Sequence, residues 1–208
     1  MERIQLKALG KINLGLDVLG KRENGYHDVR MIMQTVYLYD EVTLEKRQEP
    51  GITVSTNLIY LPTDKTNIAY RAAKILLDEF GERRGVAIHL KKHIPVAAGM
   101  AGGSADAAAV LFGMNRMFGW KLSEKELMER GVTLGADVPY CIMRGTALAE
   151  GIGEKLTRLP AMPKCICSSQ SRRFPCPQSS SMRKLHLAVI FLRTGSVNAT
   201  MPVHAAMQ

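Results

Sequence analysis

The sequence predicts an α+β fold, a mixed sheet carrying helices, over residues 1–165. Three observations predict it. Short runs of alternating or β-branched apolar residues recur before residue 60, and later segments carry apolar residues at helical spacing. Between Val86 and Gly119 a strand pattern, a glycine-rich loop and an alanine-rich helix pattern then follow one another directly.

Residues 2–8 and 12–19 alternate loosely between apolar and polar and read as two strands. Residues 29–44, rich in Val, Ile, Met, Tyr and Thr, read as another. Asn24-Gly25 between them is a turn signal, and Met31 to Met33 read as core. Ile52 to Thr56 is a short strand, and Leu61-Pro62-Thr63-Asp64 a loop. The spacing of Ala69, Ala72, Ala73, Leu76 and Phe80 predicts a helix over 66–80, stopped by Gly81. Val86 to Leu90 is a strand. A helix over 104–118 places Ala107, Val110, Leu111, Met114 and Phe118 on one face. Ser123 with Glu126 three residues on is a capping box opening a helix over 123–131. Residues 135–156 then mix a short helix with a closing hairpin.

With 208 residues, 46% hydrophobic and 23% charged, the composition excludes collagen-like repeats, wholesale disorder and a disulfide-stapled miniprotein. No apolar run reaches the roughly 20 residues that span a bilayer. The first residues, MERIQLKALGKIN, interleave charges instead of forming a secretory h-region, so the expected location is the cytoplasm, with no membrane partner. The net charge of +9 is unevenly placed: residues 1–154 hold 20 Lys/Arg and 19 acids, and residues 155–208 hold eight Lys/Arg and no acid. The domain is therefore near neutral, and no specific nucleic-acid partner is expected. Cys165, Cys167 and Cys176 crowd near His186 without paired C-x-x-C units, a weak pattern for zinc.

The chemistry lies in residues 95–109, PVAAGMAGGSADAAA. Small residues ahead of a helix leave backbone N–H groups open to an anion, and the helix dipole adds partial positive charge. Gly99, Ala101, Gly102, Gly103 and Ser104 suit that use. No Lys precedes Ser104, so this is not a Walker A loop, and it is not G-x-G-x-x-G either. On glycine content alone, a loop that merely packs closely on a strand fits equally well.

Pro95 to Ala109 resembles the phosphate-binding motif of the GHMP small-molecule kinases. Residues 8–27, ALGKINLGLDVLGKRENGYH, and 135–154, GADVPYCIMRGTALAEGIGE, resemble one branch of that family. The resemblance covers residues 1–165 and implies the family's N-terminal ATP-binding domain, of the ribosomal protein S5 domain 2-like fold. It implies ATP-dependent phosphorylation of the 2-hydroxyl of a cytidyl-diphosphate substrate in the non-mevalonate isoprenoid pathway. On the matching positions it makes Lys11 and Asp137 the catalytic pair, with Asp137 as general base and Lys11 its counter-charge. Pro95, Ala97, Gly99, Ala101, Gly102, Gly103 and Ser104 would hold the ATP phosphates, with Ser104 at Mg2+. Asn67 would approach the nucleotide, although it reads equally as an ordinary first-turn residue. Asn13 would face the substrate near Lys11, and Tyr26 and His27 would hold the cytosine. His89 and His93 read as structural or solvated.

The resemblance stops abruptly. Family members continue into a second α/β domain with a third glycine-rich motif, whereas no such motif follows Cys165 and Gly195 is the tail's only glycine. Residues 166–208 are expected to be a non-homologous, disordered tail, read as an out-of-frame extension; a genuine alternative terminus or basic binding tail competes. Three functions follow: an active kinase, a catalytically dead fragment of one, and a module binding anionic surfaces through its tail. Phe174 and Phe191 are the tail's only aromatics, which disfavours the last.

Overall fold

A computed structural model describes residues 1–167 apart from Asn24. The chain divides into two units, Met1–Ala161 and Met162–Gln208, and residues 162–167 of the second carry no regular secondary structure. The expectations of disorder and of an out-of-frame origin for the tail concern residues 166–208, of which 168–208 lie outside the described residues. The zinc reading also falls there, through Cys176 and His186.

Among the described residues the first unit is a mixed sheet with helices. Its strands are β1 (Arg3–Lys21), β2 (His27–Arg47), β3 (Ile52–Thr56), β4 (Gly85–Lys91), β5 (Thr146–Gly151) and β6 (Lys155–Arg158). Its helices are α1 (Ile68–Glu79), α2 (Gly102–Phe118), α3 (Glu124–Leu134) and α4 (Val138–Met143). The path through the sheet is β3-β4-β2-β5-β6, with β1 paired to β2. Only β3 and β4 are parallel, joined by the crossover helix α1.

One strand replaces the two expected at the start. β1 runs unbroken, with register shifts against β2 at Leu9/Lys11, where two extra residues lie in β2, and at Asn13/Gly15 and Val18/Gly20, where one extra residue lies in β1. At the first shift Gly10 permits a close approach: a Cβ there would sit 3.3 Å from both the Leu38 and the Met100 carbonyl oxygens. β2 runs on to Arg47, past the expected end at residue 44. Met31 and Met33 are core as expected, but Ile32 between them points to the opposite, exposed side, as strand alternation requires.

The helices start where their caps place them. α1 begins after Asn67, whose side-chain oxygen accepts from the Ala69 N–H at 2.9 Å. It ends in a Schellman turn, with Gly81 at φ 59° and the Glu82 N–H bonded to the Leu77 carbonyl. The predicted capping box of α3 is present, with Glu126 accepting from the Ser123 N–H at 2.8 Å. The alanines of α2 let it lie close on the sheet, and the fully buried Leu111 and Met114 each contribute about 1.5–3 kcal/mol. On β4, Val86, Ile88 and Leu90 face this core while His89 and Lys91 are exposed, so the core lies on one side of that strand.

Beneath the segment joining β4 to α2 lies a buried ionic cluster. Lys92 Nζ donates to Asp40 and, at 2.5 Å, to Asp106, and all three side chains are 5% exposed or less. The second oxygen of Asp40 accepts the N–H groups of His93 and Ile94 at 2.5 and 2.8 Å. The second oxygen of Asp106 has no partner. Two carboxylates share one ammonium, and burial pushes the Asp106 carboxyl up to about 7, aided by neighbouring Asp40 and opposed by Lys92.

Two outcomes follow from this packing. Gly85→Ala would drive a methyl group to 2.3 Å from the Gly51 carbonyl oxygen and 2.4 Å from that of Glu49. Neither backbone atom can give way, and denaturant unfolding should show a loss of about 1–3 kcal/mol; an unchanged midpoint would contradict this packing. Because the folded carboxyl of Asp106 lies above its unfolded value of 3.8, its contribution is full below pH 4 and fades as pH rises through about 7. Unfolding midpoints for the parent and Asp106→Asn should therefore converge at low pH and separate, in favour of the variant, up to pH 8. Parallel pH profiles would exclude it.

Candidate active site

The glycine-rich loop leaves β4 through Lys92 and enters α2 at Gly102. Pro95, Ala97 and Gly99 are exposed along it. Ala97, Gly99 and Ala101 take left-handed backbone angles, with φ of 58°, 71° and 56°. For the two alanines this costs roughly 1–2 kcal/mol each, strain that a surrounding structure must maintain. Ala101 is also the N-cap of α2 and offers no capping side chain. The first intrahelical bond runs from the Ala105 N–H to the Ala101 carbonyl, so the amides of Gly102, Gly103 and Ser104 have no intrahelical acceptor. A 17-residue helix thus opens with a bare, positively polarised end.

Lys11 and Asp137 meet beside this loop. The Lys11 N–H donates to the Met100 carbonyl at 3.0 Å, tying the middle of β1 to the loop. Its ammonium is buried, lies 3.9 Å from Asp137 Oδ2 and donates to Asn13 Oδ1 at 3.1 Å. Asp137 precedes α4 as its N-cap, yet its side chain makes no capping bond and stays one third exposed. Tyr140 and Cys141 lie on the buried face of α4. Burial pushes the Tyr140 hydroxyl up to about 12 and holds the Cys141 thiol well above its usual range, which makes it a packing group.

The other predicted positions are more scattered. Asn67 is buried, and both ends of its amide are engaged, the oxygen by Ala69 and the nitrogen by the Pro62 carbonyl at 2.7 Å. It reaches the glycine loop only through its neighbour: a Cβ at Gly103 would lie 3.6 Å from Ile68. Tyr26 and His27 stand at the far end of the β1–β2 hairpin, where Lys21 pairs His27, whereas Lys11 pairs Thr35. The eight residue steps from His27 to Thr35 span roughly 26 Å of strand. Along that stretch Leu16, Val18 and Leu19 are exposed, and Arg22 pairs with Asp28 at 2.5 Å. His89 and His93 are exposed, His89 bonding Ser55 at 2.7 Å.

Sequence reasoning missed Asp40, Lys92, Asp106 and Gly10. The ionic partners come from β2, the end of β4 and α2, and no local spacing links them. The available signals were weak: an acid in an otherwise apolar helix face, and one glycine in a strand. Among the described residues no three His, Cys, Asp or Glu side chains converge as a metal site, and no helix is long and apolar enough to cross a membrane.

Comparison with known proteins gives this geometry a family. Residues 67–145 match the GHMP kinases N terminal domain. The 4-diphosphocytidyl-2-C-methyl-D-erythritol kinase of Lachnoclostridium phytofermentans is 60% identical over 167 residues, 80% of this chain and 57% of that protein. That of Clostridioides difficile is 55% identical over 163 residues, 78% of this chain and 55% of that protein. The chain thus spans little more than half the length of these curated relatives. A crystal structure of 4-(cytidine 5'-diphospho)-2C-methyl-D-erythritol kinase superposes with a TM-score of 0.65 at 36% identity, covering 75% of this chain and 55% of that one. A homoserine kinase from Cytophaga hutchinsonii, 21% identical with a TM-score of 0.60 over 77% of this chain and 52% of its own, shares the fold. The glycine loop at the bare start of α2, the mixed sheet beneath it and the similarity in sequence agree: the first unit carries a GHMP kinase N-terminal domain, matched over residues 67–145.

Proposed function

We propose that the chain supplies the nucleotide-binding and hydroxyl-activating part of a kinase that moves a phosphoryl group from ATP to the 2-hydroxyl of 4-diphosphocytidyl-2-C-methyl-D-erythritol. The observation that carries this reading is the position of Lys11: its backbone holds the glycine loop through Met100 while its ammonium faces Asp137 at 3.9 Å. One residue thereby connects the anion site to a carboxylate that is left uncapped and accessible.

The loop fits a nucleotide phosphate on its own geometry. The uncapped amides of Gly102, Gly103 and Ser104 and the left-handed turns at Ala97, Gly99 and Ala101 form a concave run of backbone donors. Bound ATP with Mg2+ supplies the transferable phosphoryl group and part of its charge compensation. In this reading Gly102, Gly103 and Ser104 hold phosphate oxygens through their N–H groups, and the Ser104 hydroxyl is the protein's ligand to Mg2+. Pro95, Ala97, Gly99 and Ala101 shape the loop around them. Asn67 acts at one remove, by fixing the chain where α1 begins.

At the acceptor, Asp137 takes the proton of the substrate hydroxyl as its oxygen attacks. Lys11 balances negative charge as it builds on that oxygen and on the group in flight, and Asn13 holds the ammonium in place through its 3.1 Å bond. Tyr26 stacks on the cytosine and His27 bonds its edge, so the substrate lies along the β1–β2 hairpin with its reacting end at Lys11.

Nucleotide titration and a phosphoryl-transfer assay test this on the 208-residue chain. Binding of ATP is expected, and its absence at millimolar nucleotide would overturn the reading. The same assay separates an active enzyme from a chain that binds nucleotide without turnover. Asp137→Asn should lower kcat by roughly 10²–10⁴ and leave nucleotide affinity nearly unchanged; full turnover in that variant would remove Asp137 from the chemistry. Tyr26→Ala should weaken cytidyl-substrate binding by about 1–3 kcal/mol, seen as a higher KM with kcat almost intact. An unaltered KM would place the base elsewhere.

A further inference from the structure

We propose that the buried Asp40–Lys92–Asp106 cluster is the positioning device of the glycine-rich loop, setting its backbone from both ends; the link to nucleotide phosphate rests on the function proposed above.

The placement of the three residues carries this. Lys92 is the first residue after β4, and Asp106 lies in the opening turns of α2, so their 2.5 Å bond closes the whole loop between them into a ring. Asp40 joins that ring to the sheet. It accepts the next two amides of the loop, His93 and Ile94, at 2.5 and 2.8 Å, as well as Lys92. On the other side of the ring, a Cβ at Gly102 would lie 3.1 Å from Ile94 and 3.5 Å from Asp40. The two ends of the loop therefore meet over one cation. Between them Pro95 to Ala97 and Gly99 are exposed, and the link from the Met100 carbonyl to the Lys11 N–H joins the far side of the loop to β1.

Charge burial of this kind is poor value as stability alone, since desolvating each ion costs several kcal/mol and a packed apolar group would serve as well. Its gain is geometric. A cation shared by two carboxylates fixes the distance between strand end and helix start more sharply than apolar contact, and the strained turns at Ala97 and Ala101 need such an outer frame. None of the three side chains reaches the surface, so each acts on a ligand only through the loop.

The test reads the loop directly, by residue-resolved hydrogen exchange on the full chain. The Lys11 amide reports loop docking through its bond to Met100, and the amides of Val86, bonded to the Gly51 carbonyl just before β3, and of Ile88, within the β3–β4 pairing, report the sheet. Asp106→Ala cuts the tie between Lys92 and α2 while leaving Lys92 on Asp40. It should speed Lys11 exchange at least tenfold with Val86 and Ile88 still protected. Asp106→Asn keeps an oxygen for Lys92 and should restore Lys11 protection to within about threefold of the parent. Affinity for ATP should follow the same order, falling at least tenfold in Asp106→Ala and recovering in Asp106→Asn. Unchanged Lys11 exchange in Asp106→Ala would overturn the proposal, and so would equal acceleration at Lys11, Val86 and Ile88, which marks a general loss of stability. Failure of the parent chain to bind ATP would refute the kinase reading separately, and the exchange data would still decide whether the cluster sets the loop.

Discussion

Along one edge of β2 the hydrogen-bonding partner changes from β5, whose pairing ends at Gln34, to β4, whose pairing begins at Glu41. Residues 35–40 between them have no partner strand on that edge, and Tyr37 and Leu38 among them are exposed. Single bonds hold the two ends of this gap: the Thr35 N–H donates to the Gly145 carbonyl, and the Asp40 side chain accepts the His93 and Ile94 amides of the chain that leaves β4. The extra residues of β2 in this gap lie opposite Gly10, beside which the Lys11 N–H bonds the Met100 carbonyl of the glycine loop. A discontinuity in one strand's partners therefore places the loop, the ammonium and, through Gly145 and α4, the carboxylate of Asp137.

The site combines two kinds of electrostatics. Backbone dipoles at the start of α2 are exposed and uncapped, suited to an anion that comes and goes. Full charges lie on either side of them. Lys92 is enclosed with two carboxylates and cannot meet a ligand, whereas Lys11, equally buried over most of its length, points its ammonium at a carboxylate that remains one third exposed. The chemistry differs because of the partner's access to solvent, not because of the lysine. A protein with the same residues but with Asp137 engaged as a helix cap would have lost its accessible carboxylate.

Much of the architecture was readable from local pattern. The turn of α1 at Gly81, the capping box at Ser123 and the alternation of β4 are each set by a few neighbouring residues, and each appears where its chemistry requires. Local pattern failed where a bend depended on a distant segment. Residues 2–8 and 12–19 looked like separate strands because Gly10 breaks the alternation, yet the break is a close approach of the Met100 carbonyl, not a turn. Ile32 looked like core because its neighbours are methionines, and pairing in the sheet turned it outward.

The sequence by itself determined the helices, most of the strands and the resemblance to the GHMP kinases, because helical periodicity, caps and the run of small residues from Pro95 to Ala109 are properties of adjacent residues. It also named Lys11 and Asp137 as a pair, through resemblance. Tertiary structure alone decided that they stand 3.9 Å apart, that Asn67 spends its amide on a cap and a loop carbonyl, and that Tyr26 and His27 lie far along the hairpin. It alone brought Asp40, Lys92 and Asp106 together. Such a cluster leaves no trace in spacing, because its members belong to three elements and its energy exists only once water has been excluded from among them.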